Sequence, residues 1–195
     1  EGGNLVIEVK KENNKTVKID GVDRKILYSS GAVHTKDKYD VKYGKIEMRA
    51  AMPKGIGVWP AFWTWPSDYA IRKIGDPAAL EEIDIVEVYG DNLKEVTGTI
   101  HALKADTQYE SFVGNNLRIK KNENLADFNT YAVEWNEKEI KWFFNGRNYK
   151  TITMKEVAKK TDNTFKLPHY LIINVALKNT TGSDGDVDFP TEMKV

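Results

Sequence analysis

No cysteine occurs in the 195 residues, which excludes disulfides, thiolate metal sites and a cysteine nucleophile while leaving the compartment open. Net charge is missing too. The 29 Lys and Arg balance 29 Asp and Glu, so no global field draws the chain to nucleic acid or an anionic membrane, and the expected partner is uncharged. No apolar run approaches the roughly 18 residues of a membrane-spanning helix, so membrane insertion is not expected. The opening residues, EGGNLVIEVKK, lack the charged-then-apolar layout of a signal peptide. Internal repeats and low-complexity linkers are absent, and the length leads to one domain, residues 1–195, around one sizeable core. Helical periodicity is scarce: only Met154 to Lys160 could sustain one or two turns.

Period-2 alternation, by contrast, is abundant. It marks Leu5–Val9, Thr16–Ile19, Gly44–Ala50, Val96–His101, Tyr131–Trp135, Glu139–Phe144 and Tyr170–Val175 as strands. The turn signal Asn145-Gly146-Arg147-Asn148 lies between Trp142-Phe143-Phe144 and Tyr149-Lys150-Thr151-Ile152 and predicts a hairpin with antiparallel pairing. Many strands with few helices predict an all-β sandwich or barrel. Ser67 to Ala79 and Lys104 to Asn124 lack a clear period and read as loops over a working face. Five Trp, nine Tyr and seven Phe exceed what a minimal core of this polar chain requires, so some should face a ligand.

The stretch EEIDIVEVYG, Glu81 to Gly90, carries acids among β-branched residues. It is either a strand with a solvated acidic face or a catalytic element. In a regular strand Glu82 and Asp84 share one face, Ile83 and Ile85 the other, and Glu87 falls out of phase. A helix scatters the three acids as well. A β-bulge near Ile85-Val86 brings Glu82, Asp84 and Glu87 to one side. The α-carbons of Glu82 and Glu87 would then stand roughly 13 Å apart, and inward-leaning side chains bring the carboxyls to about the separation used by retaining glycosidases. Three clustered carboxylates cannot all ionise at their ordinary pKa values, so at least one proton should be held near neutrality, as a general acid requires.

Glu82-Ile83-Asp84-Ile85-Val86-Glu87 resembles the E-x-D-x-x-E signature of glycoside hydrolase family 16 in its bulged, laminarinase-like form. Further stretches resemble the family in order along nearly the whole chain: Tyr43–Arg49, Pro53–Trp63, Gly98-Thr99-Ile100-His101, Tyr131–Trp135 and Tyr170–Asn174. The resemblance implies a jelly-roll β-sandwich of two curved antiparallel sheets with an open cleft on the concave face. It implies Glu82 as nucleophile, Glu87 as general acid and then base, and Asp84 as the assistant that holds a proton and orients its neighbours. Glu81 has no role in the family and is expected to be solvated.

Alternation in Trp59-Pro60-Ala61-Phe62-Trp63-Thr64-Trp65 puts Trp59, Ala61, Trp63 and Trp65 on one face. Those indoles are either core packing or a platform for pyranose rings. Trp63 matches a cleft tryptophan of the family, and His101 resembles a cleft histidine near the acid/base, able to donate or accept beside carboxylates. His34 and His169 are expected to be structural. Arg49 and Glu47 share one strand face and are candidates for sugar hydroxyls, although a cross-strand ion pair is the simpler expectation.

Relatives usually carry strands before Leu5-Val6-Ile7 and after Met193-Lys194-Val195, so the chain is expected to lack the usual terminal strands. The family's calcium site draws on those ends, and no metal or cofactor is expected. A Gly-Gly-x-Trp run that many laminarinases have after the residue matching Asn174 is replaced by Val175-Ala176-Leu177-Lys178-Asn179, which alters the cleft wall. The resemblance therefore implies a retaining endo-β-glycanase for β-1,3- or mixed β-1,3/1,4-glucan. An endo-β-galactanase of agarase, porphyranase or carrageenase type and a non-catalytic carbohydrate-binding sandwich are the alternatives. A polymeric substrate implies a secreted, periplasmic or cell-surface location.

Overall fold

The structure is a computed structural model describing residues 2–67, 80–103, 109–111, 116–161, 165–178 and 189–195, with residues 103 and 109–111 described by their backbone alone. The strands run in the order β1 (Val6–Ile19), β2 (Val22–Ser29), β3 (Ala32–His34), β4 (Asp40–Val41), β5 (Gly44–Ala50), β6 (Val58–Pro66), β7 (Glu81–Glu87), β8 (Glu95–Leu103), β9 (Tyr109–Ser111) and β10 (Leu117–Arg118). They continue with β11 (Asn129–Trp135), β12 (Glu139–Phe144), β13 (Arg147–Thr153), the single-turn helix α1 (Met154–Val157), β14 (His169–Leu177) and β15 (Thr191–Lys194).

All strand pairings among the described residues are antiparallel, in three sheets. The largest has the order β10-β8-β7-β6-β14-β3, with β4 on β14 and β9 on β8; the second has the order β13-β12-β11-β5; a ribbon β15-β1-β2 joins the chain ends. One core fills the space between the two larger sheets. Phe62, Ile83, Ile85, Val86, Ile100 and Val175 bury into it from one side and Ile46, Met48, Tyr131, Val133, Trp142 and Phe144 from the other. Period-2 alternation explains both layers: on β12, Ile140, Trp142 and Phe144 point inward while Glu139 and Lys141 pair with each other at 2.6 Å on the outer side.

The predicted all-β sandwich is therefore the observed one. The turn between β12 and β13 is only Asn145-Gly146, both at positive φ (47° and 74°), the geometry a two-residue hairpin demands. Past it, Trp142 faces Lys150 and Phe143 faces Asn148, so β13 bulges at Tyr149 and sets Lys150 in phase with Ile152 toward the core. α1 is one turn, closed by a capping box between Thr153 and Glu156.

Some expectations change. The strands expected at Leu5–Val9 and Thr16–Ile19 merge, from Val6 onward, into one long strand, β1, whose pairing with β2 shifts between Lys11 and Lys15. The stretch Lys104 to Asn124 is not wholly loop, because β9 and β10 extend the large sheet there; residues 68–79, 104–108 and 112–115, which the loop expectation also covered, lie outside the described residues.

Candidate active site

β7 runs through the interior of the large sheet, between β6 and β8. Across to β6, Trp63 faces Asp84 and Phe62 faces Val86, leaving Ile85 unmatched; across to β8, Asp84 faces Thr99 and Glu87 faces Thr97. Three residues of β7 thus span two of β8, which is a bulge at Ile85-Val86. Ile85 and Val86, though consecutive, both enter the core. Glu87 is returned to the phase of Glu82 and Asp84, and all three acids line a cleft of about 270 Å³ with Trp59, Ala61, Trp63, Asn174 and Ala176.

The site's floor is tied to the opposite sheet. Trp142 Nε1 donates to the Asp84 carbonyl oxygen at 2.8 Å, supplying a partner at the point where the ladder is disturbed. On the cleft side, His101 of β8 stands opposite Glu82, and its Nε2 lies 3.0 Å from Asp84 Oδ2. Trp59 Nε1 donates to Glu87 Oε1 at 3.0 Å, and Trp63 Nε1 donates to Asn174 Oδ1 at 2.7 Å.

Burial is the leading force on every carboxyl of the trio. It pushes Glu82 up to about 8, reinforced by the neighbouring Asp84. It also pushes Asp84 well above the usual carboxylate range, with the Glu87 carboxylate adding to the effect. Glu87 is raised by burial against the opposing pull of His101, the Trp59 N–H and Lys178. His101 is held below its ordinary value by burial, against the pull of Glu82 and Glu87. Glu82 and Asp84 are hydrogen-bonded neighbours of like charge, so they hold one proton between them.

The sequence-predicted residues separate into those the fold gathers and those it does not. Glu82, Asp84, Glu87, Trp59 and Trp63 line the cleft, and His101 joins them through Asp84. Trp65 packs edge-on against Trp63, with centroids 5.9 Å apart, and is not among the lining residues; it supports the platform rather than forming it. Arg49 is not in this cleft: it sits on β5 in the second sheet, its guanidinium 4.1 Å from the Phe128 ring centroid. Nor does it pair with Glu47, whose carboxylate is taken by Lys45 at 2.8 Å.

Glu81 reverses its expectation. Instead of being solvated it is 1% exposed, because its phase matches Ile83 and points into the core. Its oxygens accept the backbone N–H groups of Phe165 at 3.0 Å and Leu167 at 3.2 Å, and His169 Nε2 lies 3.7 Å away. His169 is fully buried with Nδ1 at 2.7 Å from Thr64 Oγ1, the structural role expected of it. The exposed His34 stacks edge-on with Tyr170.

Two lysines near the site were not singled out by sequence. Lys178 stands 3.8 Å from the Tyr89 ring centroid and 4.8 Å from that of Trp59, at the Glu87 end of the cleft. Lys150 lies beneath the floor, 7% exposed and over the Trp142 ring at 4.9 Å. Among the described residues the donor atoms of Glu82, Asp84 and His101 fall within 4.8 Å of one another. A cation there would compete with the proton shared by the two acids.

An all-β sandwich with tryptophans facing a bulged carboxylate strand across an open sheet defines the class. The family model described as glycosyl hydrolases family 16 matches residues 2–192, and the chain belongs to that family. Glucan endo-1,3-beta-glucosidase A1 of Niallia circulans is 36% identical over 161 residues, which cover 80% of this chain and 23% of that protein. Beta-glucanase of Rhodothermus marinus is 30% identical over 201 residues, covering 100% and 66%. The chain thus spans between about a quarter and two thirds of the length of these curated relatives. Among solved structures, the laminarinase catalytic domain of Thermotoga maritima superposes with a TM-score of 0.83 at 32% identity, covering 100% of this chain and 75% of that one.

Proposed function

We propose that this chain is the catalytic domain of a retaining endo-β-glycanase that cleaves internal linkages of a β-1,3- or mixed β-1,3/1,4-glucan. The observation that carries the reading is the convergence of Glu82, Asp84 and Glu87, through one bulge, onto a cleft walled by Trp59 and Trp63. The names of the relatives, a glucan endo-1,3-beta-glucosidase and a beta-glucanase, support the glucan.

Glu87, buried and carrying a raised pKa, protonates the leaving glycosidic oxygen. The proton shared by the inner pair resides on Asp84 in the reactive form, freeing Glu82 to attack the anomeric carbon and form a glycosyl ester. Glu87, now ionised, takes a proton from water as it attacks the ester, and Glu82 leaves as a carboxylate. The chemistry is complete without a cofactor. Indole faces suit the apolar faces of pyranose rings, and the Trp63 N–H bond to Asn174 fixes the angle of that platform. Because a polysaccharide does not cross membranes, the enzyme works outside the cytoplasm, in the periplasm, at the cell surface or in the medium.

The test is reducing-end release from laminarin, barley mixed-linkage glucan and agarose by the native chain and by Glu82→Gln. Release from either glucan, abolished in the variant while oligosaccharide binding persists, is the expected result. Release from agarose alone would move the substrate to a galactan. Binding without turnover by the native chain would make this a carbohydrate-binding sandwich, and a fully active variant would remove Glu82 from its role.

A further inference from the structure

On the interior face of β8, next to the catalytic strand, Gly98 meets Trp142 and Lys150 of the second sheet. Gly98 stands between Thr97 and Thr99, the β8 partners of Glu87 and Asp84, and so lies directly opposite the bulge. A Cβ placed on Gly98 would meet Trp142 Cδ1 at 2.3 Å, so glycine is needed for the indole to lie against the β8 backbone. Lys150, brought inward by the bulge of β13 at Tyr149, is the residue opposite Trp142; its ammonium lies over that indole and donates to the Gly98 carbonyl oxygen. Trp142 in turn holds the Asp84 carbonyl. Two bulges on two sheets therefore meet back to back, with one buried cation between them.

We propose that Lys150 is a positioning residue for the reaction, a buried cation contributed by the opposite sheet that holds β8 against the catalytic bulge and supplies positive charge behind Asp84. Resting on the assignment of the trio under the proposed function, the role is distinct from catalysis proper, since Lys150 is not among the residues that line the cleft. A lysine is almost never buried to this extent without electrostatic compensation. A neutral aliphatic chain would fill the same space and pack on the same indole, so the charge itself calls for an explanation. Asp84 provides it: the attraction is mutual, favouring the charged form of the lysine, which stands at about 8 because burial outweighs this pull, and of the carboxyl, which burial pushes up.

The charged and titratable groups acting on Asp84 are Glu82 and Glu87 on its own strand, His101 on β8 and Lys150 on β13; β6 carries none, and on β12 Glu139 and Lys141 pair with each other on the outer face. Lys150 is the counter-charge that the opposite sheet brings to this set, while burial holds His101 below its ordinary value. Without Lys150 the inner pair should hold its shared proton to higher pH.

The test compares Lys150→Met and Lys150→Arg with the native chain by carboxyl carbon NMR titration of Glu82 and Asp84, which needs no substrate and so stands even if the glycanase reading fails. The titration of the pair is expected to move up by about half a pH unit or more in Lys150→Met and to return toward the native position in Lys150→Arg. On a hydrolysed glucan, the acid limb of kcat/KM should move with it, while KM stays nearly constant. A lowered melting temperature with an unmoved titration and acid limb would overturn the proposal and leave Lys150 a packing residue. Should Lys150→Met not fold, the reciprocal experiment decides: in Asp84→Asn the ammonium of Lys150 should lose its proton at lower pH than in the native chain, and an unchanged titration would contradict the coupling.

Discussion

Trp142 of one sheet donates its indole N–H to the backbone carbonyl of Asp84 in the other at 2.8 Å, while the same ring leaves no space for a side chain on Gly98. The bulge of β7 is thus held from behind by an aromatic residue that is not among those lining the cleft. Gly98→Ala should lower stability by about 2–3 kcal/mol through overpacking against the indole. Trp142→Phe should cost about 1–3 kcal/mol through the lost hydrogen bond. Because the residues share one contact, the double variant should be less damaging than the sum, and chemical denaturation of all four proteins checks it. Strict additivity would mean that ring and glycine are not coupled.

Glu82→Gln should trade activity for stability in a pH-dependent way. The folded pKa of Glu82 is raised from 4.5 to about 8, chiefly by burial. A carboxyl raised in this manner leaves stability intact below about pH 4.5 and withdraws it as pH climbs toward 8. The variant carries no such charge, so its advantage should be small at pH 5 and about 1–3 kcal/mol at pH 8. Thermal melts at the two pH values measure it, and an advantage that does not grow with pH would contradict the burial of an ionising group.

Trp59→Phe removes the N–H that lies 3.0 Å from Glu87 Oε1 and helps to keep its pKa from rising further. The alkaline limb of kcat/KM, which reports proton loss from the acid/base, should therefore move to higher pH by about half a unit. A full pH–rate profile reads this shift. A fixed limb would mean that another group sets it.

Glu81→Ala should be among the most destabilising single changes outside the cleft. It leaves the buried N–H groups of Phe165 and Leu167 without their acceptor, at about 2–4 kcal/mol. Equilibrium unfolding measures it, with Glu81→Gln expected to recover part of the loss by retaining one oxygen. A neutral alanine variant would return Glu81 to a solvated role.

Much of this site could be read from residue order because its defining feature is a violation of period. Glu82, Asp84 and Glu87 cannot share a face without one extra residue, so their spacing predicted the bulge that the register of β7 against β6 and β8 displays. The same alternation puts Glu81 in phase with Ile83 and pointing inward, so position outweighs polarity there. Lys150 carried a comparable signal, being two residues from Ile152 on a strand whose partner buries Ile140, Trp142 and Phe144. Its link to Gly98 was not legible, because pairing between sheets leaves no local pattern. Arg49 shows the opposite limit: alternation told which residues share its face but not which sheet β5 would join.

The roles proposed for Glu82 and Glu87, one attacking and one donating, require that cleavage proceed through a covalent intermediate with two inversions. Proton NMR of the first sugar released from a β-glucan, recorded before mutarotation, tests this most directly. The expected signal is the β anomer; an α anomer formed first would show that water attacks directly and that Glu82 is not the nucleophile.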